Sequence, residues 1–188
     1  AQTLTVVGPL DGGPAVTLTT TAGDLIINGA VSGTTTTLKS AGAISEGAGG
    51  SITAGTLSGQ SVGATTLTGA NHVGTLGSFS AANFALSNAQ ALTVNGAVNG
   101  GSALALTTTA GGLSINGAIS GTKTTLKSAG AINEGSGGLI TASTLSGSAT
   151  GATTLGSASD RINNMVDTLG NFSSPGGFSM TNNKTLTL

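Results

Sequence analysis

Two residues that could carry acid–base or ligand chemistry occur twice in the same surroundings. Lys39 and Glu46 lie in KSAGAISEG, and Lys127 and Glu134 lie in KSAGAINEG. A carboxylate and an ammonium group repeated beside the glycine runs GAGG and GSGG could mark a repeated cation or ligand site. They also fit a solvated corner with a local ion pair, and that is the expectation here, because surface pairs are common and contribute little. Calcium takes six to eight oxygens, more than one carboxylate can supply. Asp24 is replaced by Gly112 in the second copy, so it is not a repeated ligand. His72 has Arg161 as its closest counterpart, and a single histidine cannot build a histidine-based metal site. The chain has no cysteine nucleophile, and its many serines have no histidine partner. Calcium-roll, phosphate-loop and dinucleotide-binding glycine patterns are absent. No enzyme, cofactor or metal is expected, and the glycine runs read as corner turns.

Threonine is the remaining residue with possible surface chemistry. Thr3-Leu4-Thr5, Thr17-Leu18-Thr19, Thr107-Thr108-Thr109 and Thr185-Leu186-Thr187 resemble the arrays of ice-binding solenoids. Such a surface needs threonine pairs in every layer of one flat face. The pairs here are clustered and skip layers, so threonine stacking on a flank is the expected role.

The elements that would position these residues come from a repeat. Ala15 to Leu67 and Ala103 to Leu155 align without a gap at a spacing of 88 residues, with 40 of 53 positions identical. Ala1 to Pro14 matches Ala89 to Ser102 at the same offset, with eight of 14 identical. Unit one is therefore residues 1–88. Unit two is 89–182, with a small insertion where NHVGTLGSF becomes DRINNMVDTLGNF, and 183–188 begin a third unit. Fixed-period self-similarity is the mark of a repeat architecture. The chain starts without methionine and stops in mid-array, so a mature product or a slice of a longer protein is expected.

Composition narrows the function classes. Charged residues are 6% and aromatics 2%, with 33 glycines and a net charge of −1. No basic footprint for nucleic acid or an anionic membrane exists. No apolar run approaches the roughly 18 residues needed to span a bilayer, and Ala1 to Gly8 has no signal-peptide pattern. Disorder is disfavoured because mean hydropathy is positive and aliphatics recur regularly.

Locally the pattern is strand-like. Leu4-Thr5-Val6, Val16-Thr17-Leu18, Leu25-Ile26-Ile27 and Leu92-Thr93-Val94 are β-branched or aliphatic runs, several alternating with threonine. Asn28-Gly29, Asn95-Gly96 and Asn116-Gly117 punctuate them, and such pairs favour positive φ. Leu67, Leu86, Leu106, Leu126 and Leu145 are separated by 19, 20, 20 and 19 residues. Leu18, Leu38, Leu57 and Leu76 step by 20, 19 and 19. A constant step stacks each leucine on the last if the backbone closes a coil every 19–20 residues, which predicts an all-β parallel solenoid with three short strands per coil. Because 88 is not a multiple of 19 or 20, one longer coil per unit is expected. The core ladder is then Leu18, Leu38, Leu67, Leu86, Leu106, Leu126 and Leu145, with a 29-residue step holding a glycine-rich excursion around Glu46 to Ser61. A three-coil unit of about 29 residues per coil is the alternative.

The blocks ALTVNGAVNGGSALALTTTAGGLSINGAISG and TLKSAGAINEGSGGLITASTLSG resemble the repeat regions of filamentous-haemagglutinin-like exoproteins, the secreted partners of two-partner secretion systems in Gram-negative bacteria. The resemblance covers essentially the whole chain. It implies a right-handed parallel β-helix, exported through an outer-membrane pore and displayed outside the cell as a surface fibre or adhesin. The Asn-Pro-Asn motifs of that family's secretion domain and an Arg-Gly-Asp triplet are absent, so this stretch fits the shaft. Its partners are then the neighbouring repeats, with any host receptor engaged through other regions. Two alternatives stay open: a self-assembling extracellular filament, sheath or matrix protein, and a solenoid that binds ice or glycan.

Overall fold

The computed structural model describes residues 2–156 and 164–188; Ala1, together with Asp160 and Arg161 of the inserted stretch, lies outside the described residues. Within them are 19 strands and no helix. All the strands join in one sheet, and every pairing is parallel between one coil and the next. The chain is a β-solenoid of about eight turns. One column shows it end to end: Leu4, Leu25, Ile44, Thr65, Phe84, Leu104, Thr124, Leu145 and Leu169 are successive partners.

Burial parity explains how a coil turns its corners. In Ala30–Ser40, Val31 points inward, then Thr34 and Thr35 are both exposed, then Thr36, Leu38 and Ser40 point inward. Two outward residues in a row shift the inward set from odd to even numbers, so the strand bends there onto a second side. Ala118–Ser128 repeats this with Ile119 before the bend and Thr124, Leu126 and Ser128 after it. With Leu25–Ile27 or Leu113–Ile115 as the third segment, each coil has three short sides around an aliphatic interior. Hydroxyls line up between coils as well: the buried Thr20 donates to Ser40 at 3.0 Å, and Thr108 to Ser128 at 3.1 Å.

The leucine ladder exists in two pieces. Leu18 pairs with Leu38, and Leu67, Leu86, Leu106 and Leu126 form an unbroken column. All are buried except Leu18, which lies in the first coil with no strand beneath it among the described residues. Between the pieces the register differs from the expected one. Leu38 faces Gly59, Leu126 faces Gly147, and Leu145 stacks on Thr124 and under Leu169. The 29-residue step is absent too. Ser51–Ser61 is an ordinary strand, in register with Ala30–Ser40, and coils stay at 19–21 residues through most of the chain.

The mismatch between 88 and 20 is absorbed by rotation. Four coils carry Leu4 to Phe84, but Leu92, the unit-two counterpart of Leu4, comes eight residues later, in a strand whose Thr93 and Val94 lie on Thr75 and Leu76. Equivalent residues of the two units therefore lie on different sides of the rod, offset by eight residues in a coil of about 20. At the junction the six-residue strand Asn83–Asn88 is laid on the short side at Thr65–Leu67. The long strand Thr65–Ser80 is covered beyond Thr75 by two short strands, Leu92–Val94 and Val98–Asn99.

Glycines serve this stacking through lack of space more than through backbone freedom. The Asn-Gly glycines Gly29, Gly96 and Gly117 do not have positive φ, contrary to the sequence expectation. A Cβ on Gly29 would collide with the Gly8 carbonyl oxygen in the coil below. Gly59 makes room for an aromatic ring, since a Cβ there would lie 2.9 Å from the Phe79 ring. Phe79 packs on Phe84 with centroids 4.7 Å apart, so the largest side chains of unit one fill its junction.

Candidate functional site

The repeated glutamates do not sit on solvated corners. In Ile44–Glu46 the inward positions are Ile44 and Glu46, and Glu46 extends the aliphatic column of Val6 and Ile27. Glu134 extends the column of Val94 and Ile115 in the same way. Lys39 and Lys127 are exposed on a different side of the coil. The expected local ion pair does not form: among the described residues the ion pair is Lys184–Asp167, at 2.6 Å.

Each half-buried glutamate instead meets a buried asparagine. Glu46 Oε2 accepts from the Gly69 N–H at 2.7 Å and from Asn71 Nδ2 at 3.1 Å. Asn71 is completely buried and also ties neighbouring coils, accepting from the Ile52 N–H at 2.7 Å and donating to the Ser87 carbonyl at 3.2 Å. Unit two repeats the clasp. Asn164 donates to Glu134 Oε2 at 2.7 Å, accepts from the Ile140 N–H at 2.7 Å and donates to the Thr181 carbonyl at 3.3 Å. Burial pushes the Glu46 carboxyl above its ordinary value of 4.5, and the bonds from Gly69 and Asn71 only partly pull it back. Its second oxygen, Oε1, is buried without a hydrogen-bond partner among the described residues.

A second asparagine completes the junction. Val73 pairs with Ala54 below and has no strand above it among the described residues, and the Asn88 side chain takes that strand's place. Asn88 Oδ1 accepts from the Val73 N–H at 2.7 Å, and Nδ2 donates to the Val73 carbonyl at 2.9 Å. Asn182 does the same for Val166, with both bonds at 2.9 Å. The amide presents one donor and one acceptor, as a peptide group does, so the N–H and carbonyl of Val73 and of Val166 are all paired.

These asparagines are the residues that the sequence reading missed. The available signal was Asn-x-Val, Asn71-His72-Val73 recurring as Asn164-Met165-Val166, once the insertion is placed between Leu155 and Asn164. Register then makes Met165, and not Arg161, the counterpart of His72: His72 pairs with Thr53, and Met165 with Thr141. His72 is exposed, and Asp24, also exposed, accepts the Ala43 N–H at 2.7 Å. Threonines stack as Thr144, Thr168 and Thr187, and they also form a column of four, Thr35, Thr56, Thr75 and Thr93. The residue two places on changes from Thr37 to Ser58, Gly77 and Asn95, so the column is single file.

Among the described residues, no three His, Cys, Asp or Glu side chains come together as a metal-binding group, and no helix is long and apolar enough to cross a membrane. What the clasp can do chemically is hold three coils in one register and place a carboxylate against two donors. No protein family, curated protein or solved structure matches the chain.

Proposed function

We propose that this chain is a structural shaft, a rigid non-catalytic segment of a secreted or surface-displayed bacterial adhesin or fibre that reaches the outside through an outer-membrane pore. The observation that carries the reading is the unbroken parallel column from Leu4 to Leu169. Every coil rests on the one before, so stiffness and length accrue per coil. The polar groups in the interior support this reading, because the glutamate and both asparagines of each unit bond to the chain itself at the place where the coil is rotated. The resemblance to exoprotein repeats supplies the extracellular setting.

Two measurements test the proposal. Immunogold labelling of intact cells that produce the full-length protein should place this segment outside, between cell and tip. The isolated segment should give no saturable binding on a glycan array and no calcium-dependent rise in melting temperature. Saturable glycan binding, or a calcium shift that disappears when Glu46 and Glu134 are both changed to Gln, would replace the shaft by a ligand-binding module.

A further inference from the structure

Four Asn-Gly pairs lie in the sequence, and three have nearly the same neighbours: Ile27-Asn28-Gly29-Ala30, Val94-Asn95-Gly96-Ala97 and Ile115-Asn116-Gly117-Ala118. The fourth is Asn99-Gly100. An asparagine followed by glycine can lose its amide when the glycine nitrogen attacks the side-chain carbonyl carbon, because glycine puts no side chain in the way. The folded chain opposes that attack by giving each glycine N–H to a carbonyl of an adjacent coil. Gly29 donates to Val6 and Gly117 to Val94, both at 3.0 Å, and Gly100 donates to Ser120 at 2.8 Å. These three glycines are buried. Their asparagines are confined as well. A Cβ on Gly47 would collide with Asn28 Oδ1, and one on Gly135 with Asn116 Oδ1, so the repeated GAGG and GSGG runs close over these two side chains. Asn99 Oδ1 accepts from the Gly101 N–H at 2.9 Å.

Asn95 is the exception, and the rotated junction is the cause. Its corner puts Asn95, Gly96 and Ala97 between Val94 and Val98, but only Gly77 and Ser78 lie between their partners Leu76 and Phe79. The corners of Asn28 and Asn116 set three residues over three. With one residue in excess, the Gly96 N–H reaches the Leu76 carbonyl at 3.3 Å, and Gly96 is half-buried. The Asn95 side chain has Asn116 above it in place of a glycine run: Asn116 Nδ2 donates to Asn95 Oδ1 at 3.1 Å, in an exposed bond. We propose that Asn95 is a deamidation site, the first place at which this chain turns an amide into an acid without an enzyme. The Gly96 nitrogen gives up its proton and bonds to Asn95 Cγ, the side-chain nitrogen leaves as ammonia, and a succinimide remains. Water then opens that ring at one of its two carbonyls and leaves aspartate or isoaspartate, with no change of oxidation state. Ring closure requires the Gly96 bond to break and the nitrogen to come against Cγ, so the rate follows local opening, which is easiest at this corner. The product adds a negative charge at the junction of a chain whose net charge is −1, and isoaspartate also adds a carbon to the main chain there. This chemistry does not depend on where the protein is displayed.

Ageing the 188-residue chain in mildly alkaline buffer, folded and in urea, tests the proposal, with mass-spectrometric peptide mapping and fragmentation to place each converted residue. In the folded chain Asn95 should convert about tenfold faster, or more, than Asn28, Asn99 and Asn116. In urea the three pairs with matching neighbours should converge on one rate, because only the fold tells them apart. Hydrogen exchange read on the folded chain should show the Gly96 amide opening before those of Gly29 and Gly117. Asn95→Gln should abolish the early product and leave the slower sites as they were. Equal rates at the four pairs in the folded chain, another pair ahead of Asn95, or the same order of rates in urea as in the folded chain would each overturn the proposal.

Discussion

Asn88 does the work of a missing strand with one side chain, and its chemistry can be separated from its shape. Asn88→Ala leaves the Val73 N–H and carbonyl buried without partners, at about 1–3 kcal/mol for each orphaned group. Asn88→Asp keeps the acceptor for the N–H but turns a carboxylate oxygen toward the Val73 carbonyl. It should therefore destabilise strongly at neutral pH and recover in acid, where the protonated carboxyl can donate; urea melts at pH 7 and pH 3.5 distinguish the two cases. Glu46 gives the parent chain a pH dependence of the same sign. Its folded-state proton affinity is raised, chiefly by burial, so the folded chain binds a proton more readily than the unfolded chain. Stability should fall as pH rises from about 4.5 toward the raised value, and stay flat above it. Glu46→Gln retains an oxygen for Gly69 and Asn71 and puts an amide where Oε1 has no partner. The variant should be at least as stable at pH 7 and should lose that part of the pH slope; a large loss of stability at pH 7 would show that the ionised carboxylate itself is needed.

At the level of the strand, aliphatic alternation made the coil legible, and it reported step length better than register. The steps near 20 at Leu67, Leu86, Leu106 and Leu126 are a true column because those strands share one inward parity. Leu106→Ala removes a fully buried member of it and should cost roughly 2–5 kcal/mol in a denaturant melt. The link from Leu38 to Leu67 was a misreading with a physical cause. Leucine spacing takes no account of the bend at Thr34 and Thr35, where inward parity switches, or of Gly59, an inward position left empty for the Phe79 ring. Phe79→Leu should therefore leave a gap beside Gly59 and lower stability, and Gly59→Ala should restore little, because its Cβ would still collide with the Leu38 carbonyl oxygen. The glutamates were visible in the sequence as a repeated block, but their partners were not. Asn71 lies 25 residues from Glu46, and only the closed coil brings the two together. An inward glutamate looks like a corner residue until its column of Val6 and Ile27 is known.

For the whole rod, the consequence of an 88-residue unit on coils of about 20 is that repeated features wind around the axis instead of lining one face. Lys39 and Lys127 are equivalent in sequence, yet Lys39 shares its column with Gln60, Ser80, Asn99 and Ser120, while Lys127 stands above Thr107 and Ser87. A rod built this way presents equivalent surfaces on several sides, and that winding fits the proposed shaft better than a lattice-matching surface. The rotation can be measured directly, because the chain has no cysteine and paired spin labels can be placed at will. Labels at Lys39→Cys and Ser120→Cys are four coils apart on one side and should be separated by about 19 Å, four strand spacings. Labels at Lys39→Cys and Lys127→Cys have nearly the same axial separation with the width of the rod added, so their distance should be clearly longer. If the units were stacked in line, Lys127 would stand directly over Lys39 and the second distance would not exceed the first. That outcome would remove the rotated junction, and with it the role given to Asn71, Asn88 and the phenylalanine pair.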